Sequence, residues 1–154
     1  MNRIALFIAT CGYVGYAPVA PGTFGSVVGL ALLWAVRSVG DTSVEIALIL
    51  VLLGLGIWTG SVAERHTGKV DPGIVVIDEV AGMLITMMLI PATAIAALVG
   101  FLVFRALDIL KPWPARRLEQ LPGGLGVMAD DTMAALYGNL LMRGLMTVAP
   151  GWFV

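Results

Sequence analysis

Charge is scarce in this chain and unevenly placed. Nineteen of 154 residues are charged, and fourteen of them fall in two windows. Residues 64–79 hold Glu64, Arg65, Lys69, Asp71, Asp78 and Glu79; residues 105–131 hold Arg105, Asp108, Lys111, Arg116, Arg117, Glu119, Asp130 and Asp131. Hydrophobic residues make up 59 % of the chain, and charged residues 12 %, against about 25 % in soluble domains. So few polar groups cannot cover a water-exposed surface. The apolar content also excludes disorder. A lipid bilayer is the solvent such a chain suits, and 154 residues allow about four or five crossings with short loops. A net charge of −1 supplies no field to attract nucleic acid. The single cysteine, Cys11, excludes an internal disulfide and a multi-cysteine metal site.

The expected architecture is all-α: one integral-membrane domain over residues 1–154, a small polytopic helix bundle. Ile4–Thr10 reads as a short interfacial helix. Cys11–Gly25 reads as a re-entrant loop, because Gly12, Gly15, Pro18, Pro21, Gly22 and Gly25 oppose a regular helix. Buried loops of this kind are tolerated only within protein or beside a wet cavity. Ser26–Val36 is a predicted helix capped by Thr23 or Ser26. Val44–Ala63 is the clearest predicted span; within it Ile46–Ala63 contains 18 uncharged residues, about 27 Å of helix. Val80–Phe104, uncharged around Pro91, is either one kinked span or a hairpin turning at Ile90-Pro91-Ala92. A proline stop with Thr93 behind it favours the hairpin. The hairpin puts both charged windows on one side, which the positive-inside rule makes cytoplasmic. Thr132–Val148 is the predicted last helix, capped by Asp130 or Asp131. His66 reads as a surface loop residue. Trp34, Trp58, Trp113 and Trp152 read as interface anchors or packing.

Four segments carry chemistry. Pro21-Gly22-Thr23-Phe24-Gly25-Ser26 precedes a helix, where converging N–H groups favour an anion. No Gly-Lys-Ser/Thr follows, so it is not a Walker loop. Asp78-Glu79 abuts an apolar run, where ionisable groups are costly and mark function. Arg105, Asp108 and Lys111 recur every three residues and share a helix face. Such a basic–acidic–basic seam suits a phosphate and its metal. Asp130-Asp131 places two adjacent carboxylates where a cation is needed. Scattered hard oxygen ligands fit Mg²⁺, which binds through a few carboxylates, phosphate oxygens and water. Asn139 follows Asp131 by two helical turns on the same face.

Taken in order, these segments resemble the A-type phosphatidylglycerophosphatases. The resemblance runs through Pro18–Ser26, Asp78-Glu79-Val80-Ala81-Gly82-Met83, Phe104–Pro114 and Gly123–Asp131. It implies an all-helical, multi-pass phosphatase of the bacterial inner membrane with a cytoplasmic site. It implies Mg²⁺-dependent removal of the terminal phosphate from phosphatidylglycerophosphate, giving phosphatidylglycerol. The chain departs from the pattern at Ala134-Ala135, where the family has Ala-Gly, and at Ala129, where a larger aliphatic residue is common. Both departures concern packing.

Residues and resemblance together give one expected site. Asp78, Glu79, Asp130 and Asp131 hold one or two Mg²⁺, and with Asp108 form the catalytic acids. Arg105 and Lys111 neutralise the phosphomonoester, while Gly22, Thr23, Gly25 and Ser26 donate hydrogen bonds to it. The nucleophile is metal-activated water or an aspartate. The partners are the lipid substrate and membrane lipids. One rival is a small ion-coupled transporter or channel subunit that uses the same acids. Another is a CDP-alcohol phosphotransferase, whose Asp-Gly-x-x-Ala-Arg block is missing here.

Overall fold

Pro91 cannot donate a backbone hydrogen bond, and Thr93 can cap a new helix; the chain turns between them. The computed structural model describes residues 2–153, apart from the side chain of Trp152; Met1 and Val154 lie outside the described residues, as does the anchoring role expected of Trp152. Among the described residues there are seven α-helices and no strand. They are α1 (Asn2–Ala9), α2 (Pro21–Arg37), α3 (Thr42–Thr67), α4 (Ile77–Met87), α5 (Ala94–Leu110), α6 (Ala115–Leu118) and α7 (Gly124–Val148), with single 3₁₀ turns at Val14–Tyr16 and Pro150–Trp152. The run 80–104 is thus a hairpin of α4 and α5. Thr93 Oγ1 accepts from the Ala96 N–H at 3.2 Å to start α5. Gly82 lies against Phe104 and Gly100 against Met87, so the two helices are antiparallel.

The short helix α4 is the axis of the bundle. Ten of its eleven residues are buried, enclosed by α2, α3, α5 and α7. At 1.5 Å per residue it is about 16 Å long, half of a bilayer core. Its backbone ends inside the protein, so its last carbonyls need partners. Arg37 donates to Met87 O at 2.6 Å and to Ile90 O at 2.5 Å, while its guanidinium pairs with buried Glu45 at 3.0 Å. Asn139 and Arg143 of α7 cover the remainder.

Glycines set the approach of neighbouring helices. Gly25 lies where a Cβ would meet Val76 Cβ at 2.9 Å, and Gly29 where one would meet Met83 Cβ at 2.7 Å. On the other side Gly60 faces Gly124, bringing α3 and α7 into backbone contact.

Two expected boundaries move for this reason. The first helix of the Gly/Pro segment begins at Pro21 behind Ala20 at φ 47°, so Gly22–Ser26 form its first turns, and neither Thr23 nor Ser26 caps it. Ser26 is fully buried and its hydroxyl donates to Gly22 O at 3.0 Å. The last helix begins at Gly124, and Asp130 and Asp131 lie within it, not at its cap. Ser61 of α3 accepts from the Gly124 N–H at 2.8 Å, capping α7 from a distant part of the chain.

Helix α3 is 26 residues long and apolar enough to cross a membrane; among the described residues it alone meets both criteria, and α2 is apolar but shorter. Asp41 caps α3 by accepting from the Ser43 N–H at 2.8 Å. His66 sits exposed in the last turn of α3, in helix and not in a loop.

Candidate active site

Helices α2, α4 and α7 run parallel, because Gly22 abuts Glu79, Gly29 abuts Met83, and Gly138 abuts Thr86. The N-termini of α2 and α4 therefore meet, joined by the end of α5. Both carry positive dipole ends that favour negative charge. Into this corner α4 brings Asp78 and Glu79 in its first turn, α7 brings Asp131, and α5 brings Arg105 and Asp108.

Asp78, Glu79 and Asp131 each offer a carboxylate oxygen within 4.8 Å of the others. Asp78 and Asp131 are 6 % and 4 % exposed. Glu79 Oε2 and Asp131 Oδ2 are buried without a hydrogen-bond partner. Orphaned anionic oxygens facing one another are untenable in a dry interior unless a cation or proton joins them. Arg105 stands beside them, 2.7 Å from Asp108 Oδ2 and 3.5 Å from Glu79 Oε1. Its Nε is buried and unpartnered, a free donor for an incoming anion. Gly22 closes the corner. A Cβ there would overlap Glu79 Oε1 and come within 2.9 Å of Arg105 Nη1.

A second group adjoins the first. Lys111 Nζ lies 2.6 Å from Asp130 Oδ2, 3.2 Å from Glu119 Oε2 and 3.4 Å from Asp71 Oδ2. Its ammonium donates to Asp130 and Asp71 and forms an ion pair with Glu119. Lys111 thus ties three segments together instead of standing open to a phosphate. Asp130, expected beside Asp131, faces Lys111 instead; adjacent helical residues diverge by about 100°, and here packing gives the two carboxylates different partners. Burial alone would lower the Lys111 pKa. The hydrogen bond and charge of Asp130, with Asp71 and Glu119, more than reverse this and hold it above the usual lysine value. Burial raises the Asp71 carboxyl, and Lys111 offsets part of that rise. Both residues sit at left-handed φ, 45° and 44°, a conformation costing roughly 1–2 kcal/mol outside glycine.

The structure brings together Gly22, Asp78, Glu79, Arg105, Asp108 and Asp131, with Lys111 and Asp130 alongside. Thr23 is half-buried in the first turn of α2, while Gly25 and Ser26 are packed between α2 and its neighbours. Asn139 lies at the far end of α4, away from the carboxylates. Sequence reasoning missed Asp71 and Glu119. Each sits in a polar stretch where a solvated side chain and an ion-paired one look alike. Cys11 is half-buried against apolar neighbours. Burial, then the nearby charge of Glu79, pushes its thiol up to about 11, which suits packing and not nucleophilic attack.

The family model for Phosphatidylglycerophosphatase A matches residues 7–146. A Phosphatidylglycerophosphatase A of Escherichia coli strain K12 is 32 % identical over 126 residues, covering 79 % of this chain and 72 % of that protein. One of Haemophilus influenzae is 34 % identical over 125 residues, covering 80 % and 77 %. A Bacteroides thetaiotaomicron protein, provisionally named a phosphatidylinositol-3-phosphatase, is 35 % identical over 138 residues, covering 83 % and 84 %. No solved structure matches the chain at a significant level. Nothing in these matches supports the transporter reading. A buried three-carboxylate corner beside a free arginine donor, in a chain matched over nearly its full length, leads to one assignment: the chain belongs to the phosphatidylglycerophosphatase A family and is a phosphatase.

Proposed function

We propose that the chain is a Mg²⁺-dependent phosphatidylglycerophosphate phosphatase of the bacterial inner membrane, crossing it several times with the site at the cytoplasmic face. One observation carries the reading. Buried Asp78 and Asp131 converge with half-buried Glu79, two of their oxygens orphaned, beside Arg105, whose Nε is unpartnered. Across both groups seven carboxylates meet two cations, Arg105 and Lys111, among the residues described above. That excess of negative charge fits a divalent cation. Asp78, Glu79 and Asp131 would hold it, with Asp130 contributing charge from behind Lys111. When bound, Mg²⁺ supplies Lewis-acid neutralisation of the phosphate and a more acidic water.

The chain's own residues do the rest. A phosphomonoester carries nearly two negative charges near neutral pH. Arg105 binds its oxygens, held in aim by Asp108 at 2.7 Å. Gly22 leaves room for the phosphate beside Glu79 and, with Thr23, presents the positive end of α2. Lys111 draws together the Asp71 segment, α6 and α7, closing the base of the site against water. The attacking oxygen, of a water whose proton passes to one of these carboxylates or of an aspartate, would bond to phosphorus as the P–O bond to the lipid glycerol breaks, the departing oxygen taking up a proton; an aspartyl phosphate so formed would then be hydrolysed by water.

The surroundings suit a lipid headgroup. Val19, Phe24, Val70, Ile109, Leu110 and Trp113 are exposed, each within a few residues of a site residue. Exposed apolar side chains close in sequence to a charged site support a mouth at the headgroup level of a bilayer. Arg65, Lys69, Arg116 and Arg117 lie at the same end, whereas Arg37 and Arg143 lie at the other, supporting a cytoplasmic site.

The test is phosphate release by the purified, detergent-solubilised protein from phosphatidylglycerophosphate and from phosphatidylinositol-3-phosphate, each with Mg²⁺ or with chelator. Release from the first lipid only with Mg²⁺ is expected. Preference for the inositol lipid would move the substrate toward the name of the Bacteroides relative. Equal rates in chelator would overturn the metal dependence.

A further inference from the structure

The two walls of the carboxylate corner are held in register from the far end of the bundle. Asp78 and Thr86 are eight residues apart on α4; Asp131 and Asn139 are eight residues apart on α7. Eight residues are about 12 Å along a helix. The helices are parallel, so the pair Asp78–Asp131 at one end is matched by Thr86–Asn139 at the other. There the Asn139 amide donates to Ile85 O at 3.3 Å, Thr86 O at 3.0 Å and Met88 O at 2.8 Å. Its orientation is fixed, since Arg143 Nε donates to Asn139 Oδ1 at 2.8 Å. The oxygen is thus occupied and the nitrogen faces the carbonyls. Asn139 is 8 % exposed, so water offers little substitute. At the same end Gly138 lies against Thr86, and Thr86 Oγ1 donates a 3.5 Å hydrogen bond to Ala135 O. Against that 3.5 Å bond, the amide's bonds to Thr86 O and Met88 O at 3.0 and 2.8 Å are the short polar ties between the end of α4 and α7.

We propose that Asn139 is a positioning residue: it sets the axial register of α4 on α7 and thereby the spacing of Asp78 and Glu79 to Asp131. The inference rests on the metal-dependent reading above. The asparagine amide combines an acceptor for Arg143 with two N–H donors shared among three helix-end carbonyls at the reach this site needs; aspartate would set an anion against them. Arg37 secures the same helix end from α2, so loss of Asn139 loosens the register without freeing α4.

The experiment uses Mn²⁺ as a paramagnetic stand-in, since Mn²⁺ also takes oxygen ligands in octahedral geometry. Free Mn²⁺ is titrated by electron paramagnetic resonance against the full-length wild type, Asn139→Ala, Asn139→Gln and Met142→Ala. Met142 is fully buried on the same helix and serves as a packing control. Asn139→Ala is expected to weaken Mn²⁺ binding tenfold or more. Asn139→Gln keeps the amide but lengthens its reach by a methylene. It should melt close to wild type yet also bind Mn²⁺ less tightly, with kcat lowered and KM for the lipid within twofold. Met142→Ala should melt lower and bind Mn²⁺ normally. Wild-type Mn²⁺ affinity in both Asn139 variants overturns the proposal alone, as does an equal loss in Met142→Ala. Absence of Mn²⁺ binding and of phosphate release in the wild type overturns the metal reading and this role together.

Discussion

Adding one methyl group at Gly22 tests the close approach of α2 to the acids. In an ordinary helix, Gly→Ala stabilises by roughly 1 kcal/mol. At Gly22 the new Cβ would overlap Glu79 Oε1 and reach within 2.9 Å of both Glu79 Cδ and Arg105 Nη1. These atoms cannot retreat freely, since Arg105 is also pinned by Asp108 at 2.7 Å. Overpacking of this kind costs typically 1–3 kcal/mol, which cancels or exceeds the helix gain. To reach ordinary contact at 3.4 Å the Glu79 carboxylate must move by roughly 1.4 Å, and a displacement of even about 1 Å costs on the order of 10²-fold in rate. Gly144→Ala is the control: it lies exposed in α7, and a Cβ there meets nothing within 4 Å. The assay is initial phosphate release from the lipid at saturating Mg²⁺, beside thermal melting in detergent. Gly144→Ala should melt at or above wild type with normal rates. Gly22→Ala should melt no higher than wild type and turn over about 10²-fold more slowly. A Gly22→Ala protein that is both more stable and fully active would refute the packing argument and remove Gly22 from the site.

Lys111→Met keeps the apolar stem but strands Asp130, which is 3 % exposed; breaking a buried pair costs about 3–5 kcal/mol, so the melting temperature should fall sharply. Unchanged melting with lost affinity for the lipid would instead restore Lys111 as a phosphate clamp. Asp71 supplies a pH test in chelator: its raised folded-state pKa contributes stability that is complete below the ordinary aspartate value of about 3.9 and lost as pH rises through the raised one. Melting of Asp71→Asn should therefore fall less than wild type over that interval, and an identical pH profile would count against burial of the charge. Asp131→Asn removes an anionic oxygen; the variant should insert, melt no lower than wild type in chelator, and lose the stabilisation that saturating Mg²⁺ confers, about 2.7 kcal/mol at a hundred times the dissociation constant. Cysteine at exposed Pro91 should react with an impermeant thiol reagent in intact cells, whereas cysteine at Lys69 or Glu119 should react only after permeabilisation; the reverse pattern would invert the proposed topology.

Several features were legible in the chain alone because they rest on local chemistry. The two charged windows marked the end of the bundle where the carboxylates converge, since ionised groups are too costly to scatter through apolar helices. Pro91 and Thr93 marked a helix stop and start, a matter of one missing donor and one hydroxyl. The pairing of Asp78-Glu79 with the Arg105–Lys111 seam followed from that turn. Other features depended on neighbours distant in sequence. Gly22, Gly25, Gly124 and Gly126 read as helix breakers by propensity, yet they are helical, because each meets a facing helix or loop too closely for a side chain. Tertiary packing outweighs the ~1 kcal/mol of helix propensity that each forfeits. The division of labour between Asp130 and Asp131 was equally hidden. Adjacent helical positions diverge by about 100°, but only the packed bundle decides which one faces Asp78 and which faces Lys111. The same holds for Asn139: eight residues from Asp131 placed it on the right face, and the end of α4, supplied by a segment some fifty residues earlier, gave that face something to hold.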